Sequence, residues 1–291
     1  MCERAPGRDS HGPVLSVMRL ELRNGVAVVT GAASGIGRAT ALALASRGCH
    51  LALADRNVAG LEETVGAAGA FGVRVSSHPF DVADAEAVAG FPGAVLEQHD
   101  KVSILINNAG VALMGRFEEL TLAEYRWLIE INFLAVVGLT KAFLPVLRRE
   151  RAAQIVNLSS LFGIVAPINE TAYSASKFAV RGFSESLRHE LEGSGIGVTV
   201  VHPGGVRTGI ATSARVAAAA DQVAAVRLAE MATEKLLRMP PERAAAAILE
   251  AIERREPRLI LGADAWVVTM LQRVAPVRYW SIMKRFLPDL G

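Results

Sequence analysis

The stretch "VAVVTGAASGIG", residues 26–37, joins a short β-branched run to a turn that holds Gly31, Gly35 and Gly37. A run of this kind reads as a buried strand. "GIGRATALALASRG" (35–48) reads as a helix closed by Gly48 at C′, and "HLALAD" (50–55) as a second strand ending in an acid. Strand, glycine turn, helix and strand make one βαβ unit. The spacing is not G-x-G-x-x-G, but the physics is shared. A tight turn, a close backbone approach and a helix packed near its strand each require a missing Cβ. The helix N-terminus then offers bare N–H groups and a positive dipole end to a pyrophosphate.

Working outward, the alternation continues. "VAGLEETVGAAGAFG" (58–72) reads as a second helix, "VRVSSHPFD" (73–81) as a third strand, "AEAVAGFPGAVLEQH" (85–99) as a weaker helix and "VSILINNAG" (102–110) as a fourth strand. A long helical tract over 121–150 is expected to kink near its middle and at Pro145. "AQIVNLSS" (153–160), "GVTVVHPGG" (197–205) and "RLILG" (258–262) complete the strands, with helices ending near Glu192 and over 240–256. The expected fold is α/β: a doubly wound Rossmann fold with a seven-stranded, mostly parallel sheet and helices on both faces. Residues 1–17 read as a disordered extension, 18–263 as one domain with an Ala-rich mobile lid at 206–239, and 264–291 as an amphipathic tail.

The 291 residues carry 31 basic and 29 acidic side chains, and 51% are hydrophobic. A large core is available, and nothing points to nucleic acid. Cys2 and Cys49 exclude a disulfide framework and fit a reducing compartment. The histidines at 11, 50, 78, 99, 189 and 202 show no metal-ligand spacing, so no metal is expected. With no signal-peptide core and no long uncharged apolar run, the expected location is cytoplasmic.

"YSASK", residues 173–177, places Tyr173 and Lys177 on one helix face with only small residues between them. In isolation such a pair is a packed tyrosine beside a solvated lysine. Its chemical reading is an acid–base pair: a cation within roughly 4–6 Å favours the phenolate of a group whose ordinary pKa is about 10. The small residues leave room for a flat cofactor. Asp55, some twenty residues beyond the glycine turn, suits the two ribose hydroxyls of an adenosine. A 2′-phosphate about 4 Å from that carboxylate would cost about 4 kcal/mol at an effective dielectric near 20. NAD is therefore expected over NADP, with Arg56 partly offsetting the preference.

"TGAASGIG", "NNAG" (107–110), Asn132, Ser160, "YSASK" and "PGGVRT" (203–208) together resemble the short-chain dehydrogenase/reductase family in its compact form, over about residues 25–208. That resemblance implies roles. Tyr173 would be the general acid/base, and Lys177 would lower its pKa, with help from the positive nicotinamide, and bond the nicotinamide ribose. Ser160 would hold the substrate oxygen, whereas Ser159 would point to the other face. Asn132 would interrupt its helix and hold a water that relays protons to Lys177. Gly31, Ser34, Gly35, Ile36 and Gly37 would cradle the dinucleotide, with Asp55 and Arg56 at the adenosine ribose. Asp81 and Val82 would contact adenine, and Asn108 would lie near the ribose with Ala109 and Gly110 beside it. Pro203, Val206 and Thr208 would bind the carboxamide and phosphate side.

The function implied is hydride transfer between a nicotinamide and a secondary alcohol or ketone. "VALMG" (111–115) and "LFGIVAPI" (161–168), the expected pocket walls, carry no charge, which favours a hydrophobic substrate of lipid, steroid or retinoid type. Arg207, Arg215 and Arg227 leave an anionic substrate open. Two other readings compete: a sugar-nucleotide epimerase or dehydratase of related fold, and a dinucleotide-binding regulator without chemistry. A homodimer or homotetramer is expected. In the tail, Trp266, Val267, Met270, Leu271 and Val274 form one apolar stripe, and Tyr279, Trp280, Met283, Phe286 and Leu287 another. They suit docking on the enzyme or a partner subunit; Arg273, Arg278, Lys284 and Arg285 also suit peripheral contact with an anionic membrane.

Overall fold

The computed structural model describes residues 19–210, 213–220 and 237–285. The expected extension at 1–17, lid residues 211–212 and 221–236 with Arg227, and tail residues Phe286 and Leu287 lie outside them. β1 (Val26–Thr30), β2 (His50–Asp55), β3 (Val75–Pro79), β4 (Ile104–Asn107), β6 (Ala153–Leu158), β7 (Ile196–Pro203) and β9 (Arg258–Leu261) form one sheet in the order 3-2-1-4-6-7-9. Every pairing in it is parallel, where only most were expected to be. All residues of β1, β4 and β6 are buried, the pattern of strands covered on both faces.

Two apolar layers flank the sheet. On one face α1 (Gly35–Ser46), α2 (Val58–Gly69) and α7 (Pro241–Arg254) contribute Leu44, Leu61 and Ile248. On the other, α3 (Ala85–Leu96) and α5 (Ala135–Leu147) contribute Phe91 and Phe143, whose rings meet edge to face at 5.2 Å. α6 (Thr171–Glu190) lies on this second side too, supplying Leu187. The chain runs from β1 outward to β3, then crosses back to β4 on β1's other side. The order thus reverses between β1 and β4, where an open α/β sheet leaves a crevice beyond its strand ends.

The long tract bends where its sequence departs from a plain helix. α4 (Leu122–Ile129) passes through a π-helical segment, Glu130–Leu134, into α5. Pro145 does not break the helix, which continues to Leu147. Its missing N–H would have bonded the carbonyl of Lys141; both residues are solvent-exposed, so water can take that carbonyl. The tract 122–147 is long and apolar enough to cross a membrane by composition alone, yet Leu128, Leu139, Phe143 and Leu147 are core residues.

Two short pieces were not expected. β5 (Leu113–Met114) and β8 (Arg215–Val216) pair in parallel, attaching part of the Ala-rich segment to a pocket wall. The buried Glu124 carboxylate, which caps α4, also accepts from Ala218 N at 3.2 Å. Arg215 stacks over Trp127 at 5.2 Å. At the segment's neck, Arg207 N donates to Met239 O at 2.8 Å and Met239 N to Gly205 O at 3.0 Å.

Two buried histidines tie stability to pH. His99 shares the Ser76 hydroxyl with His78, at 2.9 and 2.7 Å, and burial holds its pKa down at about 4. Burial also holds His202 down at about 4. Both stay neutral in the fold at pH values where the unfolded chain, titrating near 6.5, takes up protons. The histidines' contribution to stability is therefore complete above pH 6.5 and is lost as pH falls through 6.5 towards 4, outweighing the opposite effect of the single raised carboxyl of Glu170. The midpoint of urea unfolding should drop over that window, by on the order of a few kcal/mol in stability. A midpoint unchanged from pH 7 to pH 5 would contradict this.

Candidate active site

The glycine turn is built by exclusion of volume. Gly31 and Gly35 have φ of 68° and 56°. A Cβ on Gly37 would collide with the Gly31 carbonyl and the Asn108 amide, and one on Gly31 would lie 2.7 Å from Asn108 Nδ2. Asn108 closes this contact: its Nδ2 donates to the carbonyls of Thr30 (2.9 Å) and Gly31 (3.1 Å). Thr30 Oγ1 in turn accepts from Asn108 N and Ala109 N, both at 3.1 Å. The ends of β1 and β4 are thus stapled together at the sheet's switch point.

The start of α1 is left open. α2, α3 and α4 are capped by the side chains of Asn57, Asp84 and Thr121. Ser34, at the N-cap of α1, makes no such bond, and the first turn holds no acid. Ile36 beside it packs onto the core. Thr208 lies over this turn, its Cγ2 3.2 Å from where a Cβ on Gly35 would be. An uncapped helix end with a side-chain-free approach fits the pyrophosphate of a dinucleotide. Asp55 stands beside it: Oδ2 accepts from Ala33 N at 3.0 Å and Oδ1 from Asn57 N at 2.9 Å, leaving further lone pairs on both oxygens. Arg56 sits 3.6 Å from Asp81. Val82 borders a cavity of about 330 Å³ between α3 and α5, which shares no other residue with those expected at the site.

Asn132 and Lys177 meet at Gly110. A Cβ there would lie 3.2 Å from Asn132 Oδ1 and 3.5 Å from Lys177 Nζ. Asn132, fully buried in the π-helical segment, clamps the main chain of Val111: Oδ1 accepts from its N–H at 2.8 Å and Nδ2 donates to its carbonyl at 2.9 Å. Its Nδ2 also donates to Ser176 Oγ at 3.2 Å. Lys177 is 3% exposed and donates to Leu158 O at 3.0 Å. Its Nζ lies 5.6 Å from the centre of the Tyr173 ring. The two serines divide as the strand geometry requires. Ser159 Oγ donates to the Lys177 carbonyl at 2.9 Å, whereas the Ser160 side chain sits on the Tyr173 side, close enough to the phenol to lower its pKa. Pro203 ends β7, and the turn after it leads through buried Val206.

The electrostatics differ from the sequence argument in one respect. Lys177 was expected to draw the Tyr173 phenol down. Burial instead pushes the phenol above its ordinary value, with the charge of Glu170 adding to the rise and the Ser160 hydrogen bond opposing it. Burial also brings Lys177 down to about 8. In the chain by itself burial shifts both groups towards their neutral forms.

Two residues at the site escaped the sequence reading. Glu170, three positions before Tyr173 at the N-cap of α6, makes no side-chain cap, and burial raises its carboxyl to about 8. His202 is fully buried, and its Nδ1 lies 2.9 Å from the Ser160 carbonyl. A carbonyl only accepts, so Nδ1 carries the proton; Nε2 has no partner among the described residues. The i, i+3 spacing to Tyr173 signals Glu170. Nothing local signals His202.

A family model described as short chain dehydrogenase matches residues 25–219. The chain belongs to that family. It is accordingly an NAD(P)-dependent oxidoreductase, which sets aside the non-catalytic regulator. SadH of Mycobacterium tuberculosis is 41% identical over 260 residues, covering 89% of this chain and 93% of SadH. Dehydrogenase/reductase SDR family member 7B of Bos taurus is 37% identical over 203 residues, 68% of this chain and 62% of that one. Among solved structures, a short chain dehydrogenase/reductase from Burkholderia phymatum in complex with NAD superimposes with a TM-score of 0.81. It is 32% identical, with 88% of this chain and 95% of that one covered. An alcohol dehydrogenase from Thermococcus sibiricus, complexed with 5-hydroxy-NADP, gives 0.70 at 30% identity, over 81% and 95% of the two chains. The site accordingly takes NAD or NADP.

Glu170 yields a test. Its negative charge opposes formation of the Tyr173 phenolate. Glu170→Gln should therefore move the limb of the pH–rate profile on which alcohol oxidation rises with pH to lower pH. A limb that stays put, or moves upward, would remove Glu170 from the electrostatics of the site.

Proposed function

We propose that this oxidoreductase interconverts a hydrophobic secondary alcohol and its ketone, with NAD preferred. The observation that carries the reading is the convergence of Tyr173, Lys177, Ser160 and Asn132 beside an uncapped α1 terminus. Gly31, Ser34, Gly35, Ile36 and Gly37 would hold the pyrophosphate side, and Asp55 the adenosine ribose. Asp81, Val82, Asn108, Ala109 and Gly110 would flank the adenosine half; Lys177, Pro203, Val206 and Thr208 would flank the nicotinamide half. When bound, the nicotinamide supplies the hydride acceptor or donor.

The chain's own groups handle the proton. In oxidation Tyr173 Oη takes the hydroxyl proton as the carbinol C–H bond breaks; in reduction it returns that proton to the carbonyl oxygen. Ser160 Oγ donates to the oxygen as negative charge develops on it. Lys177, brought down to about 8 by burial but still mainly protonated at pH 7, gains from any negative charge placed beside it. It is thus suited to hold a ribose hydroxyl and to favour phenolate during turnover. Asn132 fixes Val111 and Ser176 around that lysine, and in this reading orders a relay water.

Substrate and cofactor preference rest on the neighbours. Tyr173 packs with Leu113, Leu128, Ala172 and Val111 in one apolar cluster, which suits a hydrophobic substrate better than a sugar. Asp55 is oriented at the turn, while Arg56 already faces the Asp81 carboxylate, so a 2′-phosphate finds an acid and a shared cation. Of the expected lid, the described part at 213–220 is tied to the site by the β5–β8 pairing and the Glu124 bond to Ala218. We favour a cytoplasmic homo-oligomer. For the tail we favour docking over lipid contact, since Ala265 and Thr269 are buried, although Trp266 and Val267 stay exposed.

Turnover of apolar secondary alcohols with NAD and NADP side by side tests the reading. Tyr173→Phe should retain NADH binding and lose at least about a hundredfold in kcat; near-normal kcat would sink the assignment. Asp55→Ala should raise KM for NAD and lower it for NADP. A wild-type enzyme with the higher kcat/KM for NADP would reverse the cofactor assignment.

A further inference from the structure

The family match ends at residue 219, yet the chain beyond it returns to the site at two places. α8 (Ala263–Val274) begins against the Pro-Gly-Gly turn. Asp264 Oδ2 accepts from Gly205 N at 3.1 Å, and a Cβ on Gly204 would stand 2.7 Å from that carboxylate. From there α8 runs roughly 18 Å, at about 1.5 Å per residue. The chain then reverses, with Arg278 N and Tyr279 N both donating to Ala275 O. α9 (Tyr279–Met283) carries the second tie. Tyr279 Oη accepts from Ala166 N at 3.0 Å and, as donor, lies 3.4 Å from Ala166 O. One phenol thus engages both backbone polar groups of a residue in the loop between Ser160 and Tyr173.

That loop touches the reacting hydroxyls. Ser160 Oγ accepts from Phe162 N at 3.1 Å, and the Phe162 ring meets the Tyr173 ring nearly perpendicularly at 6.1 Å. Ile164 and Val165, just before Ala166, are buried. A shift at Ala166 therefore reaches the apolar surface around Tyr173 and Ser160.

We propose that the C-terminal segment is a wall of the substrate site, and that Tyr279 is a positioning residue holding the 161–169 loop for extended apolar substrates. This rests on the alcohol–ketone reading. A small alcohol is held by Ser160 and Tyr173 alone and gains little from the loop. An extended apolar alcohol owes its binding to contact with that surface, so loosening the loop weakens its binding first.

The test is Tyr279→Phe, which removes one hydroxyl and keeps the ring. With 2-decanol, KM should rise roughly three- to tenfold, the worth of one hydrogen bond, with kcat within about twofold. KM for 2-propanol and the Kd of NADH, read by fluorescence, should stay within about twofold. Amide hydrogen exchange in peptides covering 161–169 should accelerate while that of 26–37 does not. Equal KM changes for the two alcohols, no change in either, or loss of NADH binding would each overturn the proposal. Should the wild-type enzyme turn over no alcohol, the alcohol–ketone reading fails on its own. Exchange at 161–169 then decides the positioning role: unchanged exchange refutes it and faster exchange supports it.

Discussion

Where β1 turns into α1 there is no room for a side chain, and the arrangement of the site follows from that. Gly37 lies against the Gly31 carbonyl and the Asn108 amide, so the first helix, the first strand and the end of the fourth strand share one crowded point. The Asn108 and Thr30 hydrogen bonds lock that point in place. Any larger residue would force the helix away from the sheet and the strand ends apart. The same contact exposes backbone N–H groups instead of side chains at the mouth of the crevice. One steric constraint thus packs the core and strips the surface proposed for a pyrophosphate.

Burial plays the corresponding part on the other side of the crevice. Lys177 is placed where its charge is costly, against the carbonyl of Leu158 and under the Tyr173 ring. Both groups respond by shifting towards their uncharged forms. A surface lysine could not be moved by a nearby cofactor, since solvent would already have satisfied it. A buried one responds to whatever charge arrives, because little else screens it. The reactivity of the pair therefore belongs to the assembled site more than to either side chain.

The sequence discloses what is local. The strand–turn–helix at 26–48, the acid at 55 and the tyrosine and lysine one helical turn apart each follow from periodicity or from a missing Cβ, and each lies where it was expected. Less legible were features made by distant contacts. The two-residue strands at 113–114 and 215–216 are too short to leave a pattern, and each exists only through the other. His202 reads as one more residue of an apolar strand; only the fold brings the Ser160 carbonyl to its Nδ1. The rise of the Tyr173 phenol in the chain alone was illegible for a related reason. Lys177 is visible four residues away, whereas the burial that outweighs it is a property of the whole fold.

The same distinction governs where variation can enter. The staple at the glycine turn tolerates little change, because backbone meets backbone there. The loops proposed as walls of the substrate site are held by side chains from afar: Glu124 on Ala218, Asp264 on Gly205, Tyr279 on Ala166. Each is one or two hydrogen bonds between a side chain and the main chain of a loop. Losing one costs about 1 kcal/mol, not the fold. Specificity built from such ties can be altered one residue at a time while the dinucleotide half stays fixed. That division of rigidity lets one nucleotide-binding frame serve many substrates.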